Sequence, residues 1–154
     1  SGDSDNREGI AARVYFSELF GESFIRDRTL PGINALLNYG YTVLRAATAR
    51  ALVSSGLLPA IGIFHHNRSN AFPLADDIME PYRPYVDEIV YALSMQGKME
   101  LTKDVKADLI QVLYADTQFS KVIRPLSVGL TFTSSSLSKC FAKEQKRLSL
   151  PLMK

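Results

Sequence analysis

INALLNYGYTVLRAATARALVSS, Ile33–Ser55, decides the fold class. Its small and apolar residues (Ala35, Leu36, Leu37, Val43, Leu44, Ala46, Ala47, Ala49, Ala51 and Leu52) do not fall on one stripe. They cover most of the circumference of a helix. A helix apolar nearly all round is one that neighbours surround. Arg45 and Arg50 interrupt it with charge, Pro31-Gly32 precedes it, and Gly56 ends it. This long central helix predicts helical partners, and the rest of the chain supplies them. Asp5–Phe20 reads as a helix with Ile10, Val14, Phe16, Leu19 and Phe20 apolar, capped by Asp5, with Glu8 three positions on as the second half of a capping box. Pro84–Met95 carries Val86, Ile89, Val90, Ala92 and Leu93 inward. Thr102 caps a helix running to about Tyr114, and Arg124-Pro125 opens a last one to about Ala142, with proline suited to a first turn. Between them, Ala115–Ile123 has room for one small β-hairpin. The fold class is therefore all-α: a mainly helical domain around a long central helix, with no internal repeat.

Bulk properties bound the function classes. The chain has 154 residues, one domain's worth, with 46% hydrophobic and 22% charged residues. A formal net charge of +2 is mildly basic and does not by itself demonstrate a polyanionic partner. The single cysteine, Cys140, excludes an internal disulfide and a cysteine-cluster metal site, and fits a reducing cytoplasm. No apolar run approaches the roughly 18 residues of a membrane span, and no signal peptide opens the chain, so no membrane partner is expected. The end, KEQKRLSLPLMK, is basic and reads as a frayed, solvated tail.

The chemistry concentrates in HHNRSNAFPLADDIMEPYRP, His65–Pro84. Leu74–Glu80 spans one or two helical turns. Asp77 and Glu80 stand three apart and Asp76 and Glu80 four apart, so either pair can share a face. His65 and His66 lie upstream, where a loop could return an imidazole over that face. A histidine with converging carboxylates suits a divalent cation. A solvated helix end with an incidental His-His pair fits the same spacing. Pro81 and Pro84 break or kink this segment. Asn38, Tyr39 and Tyr41 in the central helix fit core packing with partnered hydroxyls, or a polar wall near a site.

The pattern GI-x-H-x-N-x-x-N-x-F-x-L-x-D-D-x-M-E-P-x-R-P over Gly62–Pro84 resembles the catalytic core of the CRISPR-associated spacer-acquisition integrase/endonuclease family (Cas-one). Asn38–Pro59 with its NYGY element, NREGIAARVYF at Asn6–Phe16 and RPLSVGL at Arg124–Leu130 resemble the flanking helices of that family, in order, and are most similar to the versions from type II systems. The resemblance implies that Glu8, His65 and Glu80 are the catalytic residues and metal ligands. It places Asp77, Asn38 and Tyr41 behind them and His66 at a DNA-facing or exposed position, while Arg68 and Arg83 flank the segment, where contact with DNA phosphates is a natural role. A salt bridge to a neighbouring acid is an equal expectation for Arg83.

Carboxylate oxygens suit Mg2+ or Mn2+, and one imidazole tilts the preference towards Mn2+ over Ca2+. The implied activity is metal-dependent DNA cleavage and joining. The 3′-hydroxyl of spacer DNA attacks a phosphodiester of the CRISPR repeat, and water in its place gives nuclease activity. The implied partners are double-stranded DNA (spacer precursor and repeat), a second copy in the full-length protein, and a small ferredoxin-like adaptation subunit, all in a prokaryotic cytoplasm. Family members carry an N-terminal β domain, so 1–154 is expected to be the C-terminal helical catalytic domain, weakly active alone. The alternative from another class is a non-catalytic helical DNA-binding or assembly module whose acids are structural.

Overall fold

In a computed structural model, residues 2–58 and 73–152 are described. The helices are α1 (Gly2–Phe20), α2 (Ile33–Ser54), α3 (Pro73–Met79), α4 (Arg83–Met95), α5 (Lys103–Ile110) and α6 (Leu126–Phe141). A 3-10 turn, Glu80–Tyr82, joins α3 to α4, and another, Gln111–Tyr114, extends α5. Strands β1 (Asp116–Phe119) and β2 (Val122–Pro125) form an antiparallel hairpin that pairs Asp116 with Pro125 and Phe119 with Val122. The mainly helical fold and the small hairpin agree with the sequence. Among the described residues, no helix is long and apolar enough to cross a membrane.

Helix α2 is the axis, packed by α3, α4, α5 and α6. Its Leu36, Leu37, Leu44 and Leu52 are fully buried. The apolar circumference thus has its expected consequence: most faces have a neighbour. The approach of α4 requires Gly40, because a Cβ there would collide with the Val86 side chain. Gly56 stops α2 with a positive φ of 79°, and the Gly56 and Leu57 amides return to the Val53 and Leu52 carbonyls. This is the paired closing motif that glycine permits after a helix. A second cluster, Leu52, Leu74, Ala75, Ile78 and Leu137, joins the far end of α2 to α3 and α6. Thr102 caps α5, its hydroxyl accepting from the Val105 amide at 3.2 Å.

Four expectations need correction. Helix α1 begins at Gly2, so Asp5 lies inside the helix and not at its N-terminus. Arg124 and Pro125 belong to β2, and α6 starts at Leu126. The Arg124 carbonyl accepts from the Thr117 hydroxyl at 2.7 Å, and Pro125 has an extended ψ of 148°. Ala92 faces solvent, one position off the buried stripe of Val86, Val90 and Leu93. Lys143, Glu144, Lys146 and Arg147 of the tail are exposed, as expected, but its backbone is folded back and not frayed. Thr133 of α6 donates to the Ser149 carbonyl at 2.7 Å, the Ser149 amide donates to the Ser136 hydroxyl at 2.8 Å, and the Leu152 amide donates to the Gln118 carbonyl at 2.8 Å. These bonds to α6 and the hairpin outweigh the tail's charge.

Candidate active site

The break between α3 and α4 sets the site. Pro81 and Pro84 lie in this short stretch, and the chain turns through a 3-10 segment rather than one continuous helix. Tyr82 points inward from that turn, fully buried, and its hydroxyl meets Thr133 Oγ1 at 2.6 Å. With Tyr82 anchored below, Glu80 stands exposed above.

Glu80 opens onto a cleft of about 360 Å³ shared with Ala12 and Tyr15 of α1, Tyr41 of α2, and Arg83 and Asp87 of α4. An adjoining cleft of about 390 Å³ shares Phe16, Tyr41 and Arg83 with the first and adds Arg26, Arg28, Arg45, Asn38 and Thr42. One side of the paired clefts is thus acidic and the other carries guanidinium groups.

The polar framework between them is closely bonded. Tyr15 donates to Asp87 Oδ2 at 2.6 Å, and Tyr41 donates to Asp87 Oδ1. The Tyr41 ring lies under Arg83, whose guanidinium carbon is 5.0 Å from the ring centroid, and beside Arg26 at 5.8 Å. Cations over an aromatic face are attracted by its quadrupole. Arg26 also donates to Asn34 Oδ1 at 2.8 Å and Asn38 Oδ1 at 2.9 Å, and Asn38 donates to the Arg28 carbonyl at 2.9 Å. Asn38 therefore orders the arginine loop against α2.

Titration follows this packing. Burial pushes the Asp87 carboxyl up, against the two tyrosine hydrogen bonds and the nearby Arg83 and Arg26. Burial and Asp87 push both Tyr15 and Tyr41 far above the ordinary phenol value of 10.0. Both hydroxyls thus stay protonated donors at neutral pH. Burial pulls the Arg26 guanidinium down, with Arg28 and Arg83 adding like-charge repulsion, while Tyr41 and Asp87 oppose the shift. A cleft that crowds guanidinium groups favours an anion.

The structure places the sequence-derived residues unevenly. Glu80 meets Arg83 in an i,i+3 ion pair at 3.2 Å, the alternative expected for Arg83. Among the described residues, the buried Arg83 Nε has no hydrogen-bond partner. Glu8 is exposed on α1 and does not itself line the cleft, but it precedes Ala12 by four positions and Tyr15 by seven, and so shares their helix face. Asp77 is half-buried and lines neither cleft. Asp76, one of the acids that could share a face with Glu80, is buried in the first turn of α3 and accepts from Arg45 Nε at 2.7 Å. His65, His66 and Arg68 lie outside the described residues. Among the described residues, no group of three histidine, cysteine, aspartate or glutamate side chains could hold a metal ion.

Sequence reasoning missed Asp87, Tyr15 and Arg45 as parts of this site. Asp87 offered a signal: an acid beside Val86 in the inward register of α4, where an unpaired charge would be costly. Tyr15 and Arg45 offered none, because their partners lie 72 and 31 positions away.

A family model described as "CRISPR associated protein Cas1" matches residues 5–127. The "CRISPR-associated endonuclease Cas1" of Neisseria meningitidis serogroup C (strain 8013) is 44% identical, over 98% of this chain and 50% of that protein. The "CRISPR-associated endonuclease Cas1 1" of Francisella tularensis subsp. novicida (strain U112) is 34% identical, over 68% of this chain and 36% of that protein. The chain thus spans about half the length of the first relative and less of the second. Among solved structures, a "Casposase bound to integration product" has a TM-score of 0.77 over 92% of this chain and 50% of that one, at 24% identity, which shows a shared fold. The family model covers most of the chain, and on that match the chain belongs to the CRISPR-associated Cas1 family.

Proposed function

We propose that this chain is the helical catalytic unit of a divalent-metal-dependent DNA endonuclease and integrase of CRISPR adaptation. One observation carries the proposal: exposed Glu80 and the Ala12–Tyr15 face of α1 line a cleft that adjoins one carrying Arg26, Arg28, Arg45 and Arg83. Glu80 in the cleft and Glu8, which shares the helix face of Ala12 and Tyr15, are exposed oxygen donors, a set that suits Mg2+ or Mn2+. His65 completes the proposed ligands. A bound divalent ion would polarise the scissile phosphate and neutralise the charge that develops on it.

The chain's own residues do the rest. The arginine wall holds DNA phosphates on either side of the reacting one. Displacing the Glu80–Arg83 ion pair frees the carboxylate for a cation and the guanidinium for phosphate. Tyr41 holds Arg83 and Arg26 by their faces, so these long side chains need less ordering when DNA arrives. In strand joining, the 3′-hydroxyl oxygen of the incoming DNA forms the new bond to phosphorus. The bond to the 3′-oxygen of the repeat strand breaks, and that oxygen takes up a proton. With water as nucleophile the same exchange is hydrolysis. Double-stranded DNA, a second copy of the full-length protein and the ferredoxin-like subunit are the proposed partners, in the cytoplasm.

The test is a strand-joining and nicking assay with Mn2+, on the parent and on Glu8→Ala, His65→Ala, Glu80→Ala and His66→Ala in the full-length protein. The first three variants should lose activity while His66→Ala keeps most of it. Full activity in Glu80→Ala would refute the proposal, and a dead His66→Ala beside an active His65→Ala would move the ligand by one residue.

A further inference from the structure

Asp87 is 3% exposed and binds tyrosines from two other helices, Tyr15 of α1 at 2.6 Å and Tyr41 of α2. A carboxylate placed only for stability would gain little here, since its burial costs about as much as its hydrogen bonds return. Its two bonds reach opposite walls of the paired clefts.

We propose that Asp87 is a positioning residue that sets both walls at once: through Tyr15 it fixes the direction of α1, and through Tyr41 it fixes the ring on which Arg83 and Arg26 rest. The α1 side rests on the proposed role of Glu8. Helix α1 is anchored at its C-terminal end by Phe16 and Phe20, whose rings lie 5.9 and 5.0 Å from that of Phe24. Beyond Tyr15 towards the N-terminus, its described side chains are exposed, with Ile10 at 54% and Val14 at 52%. Glu8 lies seven positions from Tyr15, about 10 Å along the helix axis. A swing of about ten degrees at Tyr15 would displace Glu8 by about 2 Å, the length of a metal–oxygen bond. The Tyr15–Asp87 bond therefore decides whether Glu8 can act together with Glu80. On the other wall, losing the Tyr41–Asp87 bond frees the ring to turn, and both guanidinium groups lose their seat.

The test uses the 154-residue chain and two readouts. Mn2+ binding is followed by the electron paramagnetic resonance signal of the free ion, and hydrogen exchange is followed at the α1 amides. Tyr15→Phe should weaken Mn2+ binding about tenfold, the low end of what residues supporting metal ligands contribute. It should also speed exchange in the Glu8–Tyr15 stretch, with a drop in melting temperature no larger than that of Tyr41→Phe, which removes the other bond to the same carboxylate. Asp87→Ala should lose at least as much affinity, and Asp87→Asn, which keeps one acceptor oxygen, should fall between. If Asp87→Ala does not fold, Tyr15→Phe, at a position 41% exposed, still decides the question.

Parent-like Mn2+ affinity in Tyr15→Phe, beside lost binding in Glu80→Ala, overturns the proposal and leaves the ligand assignment standing. Parent-like binding in Glu80→Ala overturns the ligand assignment instead. Unchanged α1 exchange in Tyr15→Phe then overturns the positioning role as well, and faster exchange supports it.

Discussion

The body around α2 and the cleft beside α1 are held together by different physics. In the body, Leu36, Leu37, Leu44, Val86, Val90 and Leu130 are buried to 0% exposure and interlock across the three helices α2, α4 and α6. At the cleft, α1 leaves Ile10 and Val14 more than half exposed, and the walls are fixed by Asp87, two tyrosines and stacked guanidinium groups. The body contributes stability. The cleft is held by a few directional bonds, each worth about 1 kcal/mol net. Such a region can be rearranged by a ligand at a smaller cost than the body can.

Substitutions that enlarge or shrink side chains in the body should therefore have the largest effects on stability. Leu44→Ala removes a fully buried side chain beside α4 and should cost about 2–5 kcal/mol by chemical denaturation. Gly40→Ala forces a methyl group into Val86 and should cost about 1–3 kcal/mol in the same measurement. A neutral Gly40→Ala would mean that α2 and α4 are not in close contact there.

The cleft should respond more gently. Tyr41→Phe keeps the ring and loses one hydrogen bond to Asp87, so it should cost about 1–3 kcal/mol at most, since a buried acceptor loses a partner. The same two phenols predict an alkaline limit. Their folded pKa values are raised, so their contribution is fully present below the unfolded value of 10.0 and is lost as pH rises further. Thermal melts should fall above about pH 10, and the decline should be shallower in the Tyr15→Phe, Tyr41→Phe double variant. An unchanged decline would show that these hydroxyls are not held as described. Smallest of all, Glu80→Ala breaks an exposed ion pair and should change stability by under about 0.5 kcal/mol, although activity is lost.

This contrast also explains what the sequence made legible. Helix α2 was readable because burial on nearly all sides leaves an apolar circumference, and Thr102 was readable because a cap acts within three residues. The hairpin fitted the short interval between two helices. Glu80 and Arg83 were near enough to pair by spacing alone. The rest of the site depends on bonds between distant positions. Asp76 was visible as an acid near Glu80 but not as a partner of Arg45, and the inward register of Asp87 was visible without the tyrosines that hold it. The tail misled for the same reason, since its lysines and arginines are local while Thr133, Ser136 and Gln118, which bind its backbone, are not. The Asp5–Glu8 spacing matched a cap, but the longer α1 starts before Asp5.

The central claim is that the Glu80 side of the cleft serves a cation and not the fold. Paired thermal melts with and without Mn2+, on the parent and on Glu80→Ala, test it most directly. At a free Mn2+ concentration 100 times its dissociation constant, linkage adds about 2.7 kcal/mol to the parent, or about 5–10 °C for a chain of this size. The account predicts that Glu80→Ala melts with the parent in the absence of metal and hardly moves when Mn2+ is added. A parent that does not respond to Mn2+, or a Glu80→Ala variant that responds as the parent does, would contradict it.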